Sequence, residues 1–392
     1  MVLKEGREAF LPMTTEQVLF HLLRYEICGT SSLSEGDFSF DPVALYRLSK
    51  HHDVAHLVAD ALSKLSLMPE DEQIRSAFEK AQMMAVYREI QLTTATQRIR
   101  EALCRAQIPF VPLKGAIIRS FYPEPWMRTS CDIDILIHED DLDKAEMGLT
   151  EIGFTTNGKR DYHDVSFYDG DVHLELHFSI QENMEQIDGL LSNVWNHTEL
   201  FDDMEYRETP EFYLFHHIAH MCYHFVAGGC GIKPFLDLWI LRKNGYCTEE
   251  NVFPLLQKCG LIPFYSAVND LTDVWLEGKE HTELTEQMET YVLSGGVYGN
   301  SENGNAAGAA QKKGRFRYLW SVAFPPYRTM RLIYPSLRKL RFLLPLCYFH
   351  RFFSKLFGQD RKRVRMRWKG VINQDPNKIQ STEALLQAVG LR

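Results

Sequence analysis

Nowhere in this 392-residue chain do about 18 uninterrupted apolar residues occur, so no membrane-spanning helix is expected. The opening stretch, MVLKEGREAFLPM, carries both signs of charge and lacks an apolar core, which argues against a secretory leader. A cytoplasmic location is the expectation. The eight cysteines include no C-x-x-C pair, so neither a structural zinc site nor a disulfide framework is indicated. Buried, reduced thiols are the simplest reading. Acid is almost missing from one region: residues 311–369 hold 17 Lys and Arg against the single acid Asp360, a net +16. With a total of -9, the rest of the chain then carries -25.

What is present is a chain that is 45% hydrophobic and 12% aromatic, with enough core-forming content for two or three domains. From Thr14 to about Gln107 the apolar spacing is helical, through TTEQVLFHLL, DPVALYRLSKHHDVAHLVADALSKL and a long amphipathic stretch ending in REALCRAQ. His51, His52 and His56 lie here and are read as solvated or capping residues. The period then changes. IPFVPLKG is a short apolar run, CDIDILI alternates with β-branched isoleucine, and EDDLDKAEMGLTEIGF is a helix with an acidic first turn that ends at Gly153. YHDVSFYDGDVHLELHFSI supplies two alternating strands around a turn containing Asp171. Helical spacing resumes at PEFYLFHHIAHMCYHFVAGG and continues through IKPFLDLWILRKNG.

The expected organisation is α+β. A helical region at 1–108 precedes a small mixed α/β sheet domain at 109–200, which is followed by a helical domain at 201–294. A Gly- and Asn-rich segment at 295–314 is read as a flexible loop, and 315–392 as a basic, aromatic-rich arm.

Within the sheet domain, alternation places Asp132 and Asp134 on the face opposite Ile133, Ile135 and Ile137, where two like charges repel unless a cation or proton compensates them. Glu175 lies on the polar face of a later strand, between His173 and His177, which either line the pocket or orient the carboxylates. Lys114-Gly115 ends one strand and opens a helix, a turn where backbone N–H groups meet an anion. Three carboxylates beside such a turn provide the hard oxygen ligands a two-magnesium phosphoryl-transfer centre needs. Arg128 suits a phosphate or carboxylate clamp, and equally an ion pair with the acidic helix. His216, His220 and His224 stack on one helical face. Packing and hydrogen bonding against the sheet domain is favoured there over a metal site, and Asp237 is read as a cap or ion-pair partner.

These residues carry a resemblance. LKGAIIRSFYPEPWMRTSCDIDILI, followed by LTEIGF and VHLELHFSI, resembles the uncharacterised nucleotidyltransferase group of the DNA polymerase β-like nucleotidyltransferase superfamily over residues 109–180. The resemblance implies that Asp132 and Asp134 bind the metals, Mg²⁺ or Mn²⁺, that Glu175 is the third acid, and that Gly115 marks the nucleotide-phosphate turn. It implies an NTP donor, an unidentified acceptor and release of pyrophosphate. One departure is visible: the turn reads Lys114-Gly115-Ala116 where the superfamily has Gly-Gly or Gly-Ser, so Lys114 is expected to bring charge in place of the missing contact.

Two other readings stay open: a protein of this fold that binds nucleotide or a partner without turnover, and a membrane-associated transferase acting on a glycan or lipid-linked substrate. The basic segment fits an anionic membrane surface or polyanion, with Phe342, Tyr348, Phe349 and Phe352 inserting, or else an arm folded on the acidic body. No recognised nucleic-acid module accompanies its charge.

Overall fold

The isoleucines at alternate positions do what a pleated surface asks of them. Ile133, Ile135 and Ile137 are all buried, and the strand they form lies at the centre of a seven-stranded sheet. The computed structural model describes residues 13–29, 40–160, 163–357 and 361–392. The charged opening stretch and Asp360 lie outside the described residues. The strands are β1 (Phe110–Pro112), β2 (Ile133–Ile137), β3 (Thr155–Arg160), β4 (Asp164–Asp169), β5 (Val172–His177), β6 (Thr198–Asp202) and β7 (Glu205–Glu208). Their order is β3-β4-β5-β2-β1-β7-β6, with β2–β5 and β1–β7 parallel and the other pairs antiparallel. The expected α+β class, a small mixed sheet with helices on both sides in sequence, describes the protein.

Three strands were not legible in the sequence, and two of them carry the sheet past residue 200. β3 and β6 are the two edges, and most of their residues are exposed. With no face to bury, an edge strand needs no apolar alternation, and TTNGKR and TELFD show none. β7, with the polar sequence EYRE, pairs inward of β6.

One long helix, Glu72–Arg105, spans two cores. Asp71 caps its start by accepting from the Ile74 N–H at 3.0 Å. Its C-terminal half, through Leu92, Ala95, Ile99 and Leu103, packs with helix Leu142–Glu151 on the isoleucine face of the sheet. Phe78 in its N-terminal half belongs instead to the large core of the helical body. Leu136, on the opposite face of β2, joins that same large core. The polar face of the sheet therefore abuts the helical body at Leu136 and opens into a cleft towards Asp132.

The structure corrects three expectations. Segment 295–314, read as a flexible loop, contains helix Ser301–Gln311, capped by the Asn300 side chain and burying four alanines. Two of its glycines serve close approach rather than freedom: a Cβ on Gly304 would collide with the Ala227 carbonyl oxygen, and one on Gly299 would lie 2.5 Å from the Gly228 carbonyl carbon. The amide of Asn303 locks the contact by donating to the carbonyls of Gly228 and Tyr291 and to the Ser294 hydroxyl. The basic arm also divides, because its last helix, Pro376–Ala388, places Leu385 and Leu386 in the main core. Finally, His52 and His56 are buried rather than solvated. Each bonds a backbone carbonyl through Nε2, His52 that of Leu293 at 3.1 Å and His56 that of Met127 at 2.9 Å.

Two outcomes follow. Gly304→Ala, which helix propensity alone would make stabilising, is expected to cost about 1–3 kcal/mol in urea unfolding because the new methyl meets backbone. A neutral result would return the segment to a loop. Burial pushes both His52 and His56 down to about 4, so below the ordinary value near 6.5 the unfolded chain takes up protons that the fold refuses. Stability should therefore fall as pH drops from about 6.5 to about 4, and His56→Gln should flatten that slope in unfolding curves measured across the range.

Candidate functional site

The cleft, about 330 Å³ in volume, lies between the polar face of the sheet and the helical body. Its floor is the β2–β5 pair, whose parallel register sets Asp134 opposite Glu175 and Ile133 opposite Leu174. Asp132 precedes β2 by one residue. Ligand atoms of Asp132, His173 and Glu175 lie within 4.8 Å of one another, as do those of Asp134, Glu175 and His177. Both groups share Glu175. The structure thus brings together the three carboxylates, drawn from segments some forty residues apart.

His177 fixes two of them. Its Nε2 donates to Asp134 Oδ1 at 2.9 Å and lies 3.5 Å from Glu175 Oε2. Burial opposes a charge on this imidazole, but the two carboxylates prevail and push it up to about 9, so it is an imidazolium at neutral pH. Burial would also raise Asp134, yet Lys114 and His177 hold it well below the usual carboxylate range. Glu175 is lowered by its bond from His177. Asp132 is pushed up to about 6 by burial and then by repulsion from Asp134 and Glu175. It is the carboxylate whose charge the protein leaves least compensated.

The turn at the end of β1 brings Lys114 to this floor. The Leu113 N–H donates to the Asp134 carbonyl at 3.0 Å, which ties the turn to β2. Lys114 itself takes φ 40°, a left-handed conformation uncommon for a residue with a Cβ. The Tyr213 hydroxyl donates to its carbonyl at 2.8 Å and helps hold it there. Among the described residues the Lys114 ammonium has no hydrogen bond or ion pair, although it lines the cleft. Gly115 opens a helix of a single turn, Gly115–Ile118, and a Cβ there would meet only the Ser130 side chain at an ordinary 3.7 Å.

Arg128 lines the same cleft, but its guanidinium is committed elsewhere. Nε and Nη2 grip Asp237 at 2.7 and 2.8 Å, Nη1 donates to the Thr129 carbonyl at 2.6 Å, and the Tyr122 hydroxyl donates to Asp237 at 2.8 Å. The expected ion pair is therefore made with helix Lys233–Lys243 rather than with the acidic helix. This pair bolts the approach to β2 onto the helical body. Lys233 adds a second bolt, binding Asp53 at 2.5 Å and the Thr129 carbonyl at 3.3 Å.

The histidines of helix Pro210–Ala227 form the facing wall. His216 donates to Glu208 at 2.9 Å and His220 to Glu182 at 2.6 Å, while His224 meets His220 edge-on at 4.4 Å between centroids. Two different carboxylates hold two of the three rings, and no metal-binding group among the described residues includes them. Asp171 sits at the turn between β4 and β5 and offers its carbonyl to Arg88.

Several cleft residues escape a reading of the sequence. Arg119 donates to the Ser130 hydroxyl at 2.9 Å, and Lys233 and Tyr298 arrive from distant segments. Only the alternation of VHLELH hinted at the role of His177, by placing it on the face of Glu175.

The model of a family described as uncharacterised nucleotidyltransferase matches residues 39–277. That span is more than half of the chain, and the chain belongs to this family. It includes the whole sheet, the carboxylate cluster and the histidine wall. No curated protein and no solved structure matches the chain.

Because Arg128 and Asp237 are buried together, removing one charge strands the other. Asp237→Asn is expected to lower stability by about 3 kcal/mol in chemical denaturation. A cost below about 1 kcal/mol would mean that the bolt is not what joins sheet and helical body.

Proposed function

We propose that this member of the nucleotidyltransferase family moves a nucleoside monophosphate from an NTP to an acceptor hydroxyl, using Mg²⁺ or Mn²⁺ held by Asp132, Asp134 and Glu175. The observation that carries the reading is the register of β2 on β5, which brings Glu175 beside both aspartates: its ligand atom lies within 4.8 Å of those of Asp132 and His173 in one group and of Asp134 and His177 in the other. The donor set fits a hard divalent cation: it is oxygen-rich, and the raised Asp132 marks negative charge that lacks a counter-ion. When bound, such ions neutralise charge on the attacking and leaving oxygens.

In this reaction the acceptor oxygen forms a bond to the α-phosphorus and the bond from that phosphorus to the α–β bridging oxygen breaks. Pyrophosphate leaves and the acceptor proton passes to solvent. The chain's own residues prepare that step. Lys114, whose ammonium makes no hydrogen bond or ion pair among the described residues, meets the triphosphate, and Gly115 keeps the neighbouring space clear of a side chain. His177 holds Asp134 and Glu175 in place, and Arg128 positions the approach to β2 through Asp237 without touching the nucleotide.

The test pairs binding with turnover. Calorimetric titration of each NTP with Mg²⁺ should show binding that chelator abolishes and that Asp132→Asn/Asp134→Asn loses. Pyrophosphate release in cell extract supplied with labelled NTP should fall by at least about 10²-fold in that variant, and by about 10- to 100-fold in His177→Gln. Unliganded Asp132→Asn should melt no lower than the wild type, since it relieves a repulsion. Metal-dependent binding without pyrophosphate would favour a nucleotide sensor, and no metal-dependent binding would sink both readings.

A further inference from the structure

The segment between the body and the last helix is built inside out. Helix Leu344–Phe357 carries Leu346, Phe349 and Phe352 on its solvent side, with Leu346 and Phe349 each 67% exposed. Its other side does the packing: Cys347 sits with Met330 and Leu337 in a small core, and the Arg351 guanidinium donates to the Val322 carbonyl at 3.2 Å. Helix Arg315–Ala323 repeats the pattern with Phe316, 85% exposed, and Trp320, spaced four apart on one face. Phe324 joins the two helices, its ring 4.6 Å from Trp320 and 5.7 Å from Tyr348. An amphipathic helix in a water-soluble fold turns its apolar stripe inward. Here the stripes turn outward.

The segment is nonetheless anchored. Arg328 pairs with Asp188 at 2.5 Å, Asn183 donates to Thr329 at 3.4 Å, and Arg315 reaches the Ile372 carbonyl at 2.8 Å. Among the described residues these contacts leave the aromatic stripes exposed. Arg341, Arg361, Lys362 and Lys369 are exposed around them.

We propose that this surface docks the protein peripherally on an anionic phospholipid membrane, the stripes entering the boundary between headgroups and acyl chains while the cations meet phosphates. Charge complementarity selects the partner: +16 within residues 311–369 is drawn to an anionic leaflet, while -25 elsewhere is repelled from it and turns the body outward. A second copy is disfavoured, because an isologous contact would set +16 against +16. A nucleic acid would use the aromatic rings and the cations but finds nothing to stack on exposed Leu346 and Leu340, which acyl chains accommodate. No helix among the described residues is long and apolar enough to cross a membrane, so the contact lies in the interface plane.

The full chain should be sedimented with vesicles of phosphatidylcholine alone and of phosphatidylcholine containing phosphatidylserine. Binding is expected to the second only, and should be lost on going from ~0.1 M to ~1 M salt. Leu346→Ser/Phe349→Ser should bind at least about tenfold more weakly, with an unchanged melting curve because both side chains are exposed. Arg361→Glu/Lys362→Glu provides a second, charge-based variant with the same expectation. Failure of the wild type to bind anionic vesicles would overturn the proposal. So would retention of RNA or DNA that vesicles cannot displace, or a dimer in light scattering that the Leu346/Phe349 variant dissociates.

Discussion

Three carboxylates crowded on one face of a sheet repel one another, and the architecture around them is the means of keeping them there. The parallel pairing of β2 with β5 sets Asp134 against Glu175, and the backbone hydrogen bonds of that ladder do not yield to side-chain repulsion. Isoleucines on the reverse face add the burial that makes slippage expensive, since a shift of one residue would expose every one of them. The imidazolium of His177 then supplies one positive charge where more than one negative charge stands. What remains uncompensated collects on Asp132. A folded protein tolerates such a residue because its remaining contacts exceed the cost, and sites of this kind are where function is commonly found.

The helical body is more than a lid over this floor. Arg128 and Lys233 reach across the boundary and tie the segment ahead of β2 to helix Lys233–Lys243 and to Asp53. The histidine wall is held in turn by Glu208 of β7 and by Glu182 beyond β5. Cleft geometry therefore depends on charged contacts that join sheet and helices, and neither part would keep its half of the site in place alone. Segment 295–314 belongs to the same assembly. Its glycines let two backbones approach so closely that a methyl group would intrude, and Tyr298 is thereby carried to the cleft.

The exposed aromatic and basic surface is separate from this chemistry yet attached beside it. Arg328 pairs with Asp188, whose carboxylate also accepts from the Glu182 N–H at 2.9 Å, and the Glu182 side chain holds His220 in the cleft wall. The basic segment is thus joined by direct contacts to the element that shapes one side of the site.

Much of this was legible in the residues themselves. The alternation in CDIDILI fixed a strand and put both aspartates on one face, and the alternation in VHLELH did the same for Glu175, because a period of two is a property of the extended chain. The imbalance of charge in residues 311–369 is likewise a matter of composition. Edge strands β3 and β6 were hidden because a strand with no buried face needs no pattern, and helix Ser301–Gln311 was hidden because glycine reads as flexibility until a neighbouring backbone is seen against it. The contacts of Arg128 with Asp237, of Lys233 with Asp53 and of His177 with Asp134 could not be read, for each joins segments some forty to two hundred residues apart. Local sequence determined which side chains share a face; only the tertiary fold decided which faces meet, because pairing between distant segments is set by the packing of the whole chain.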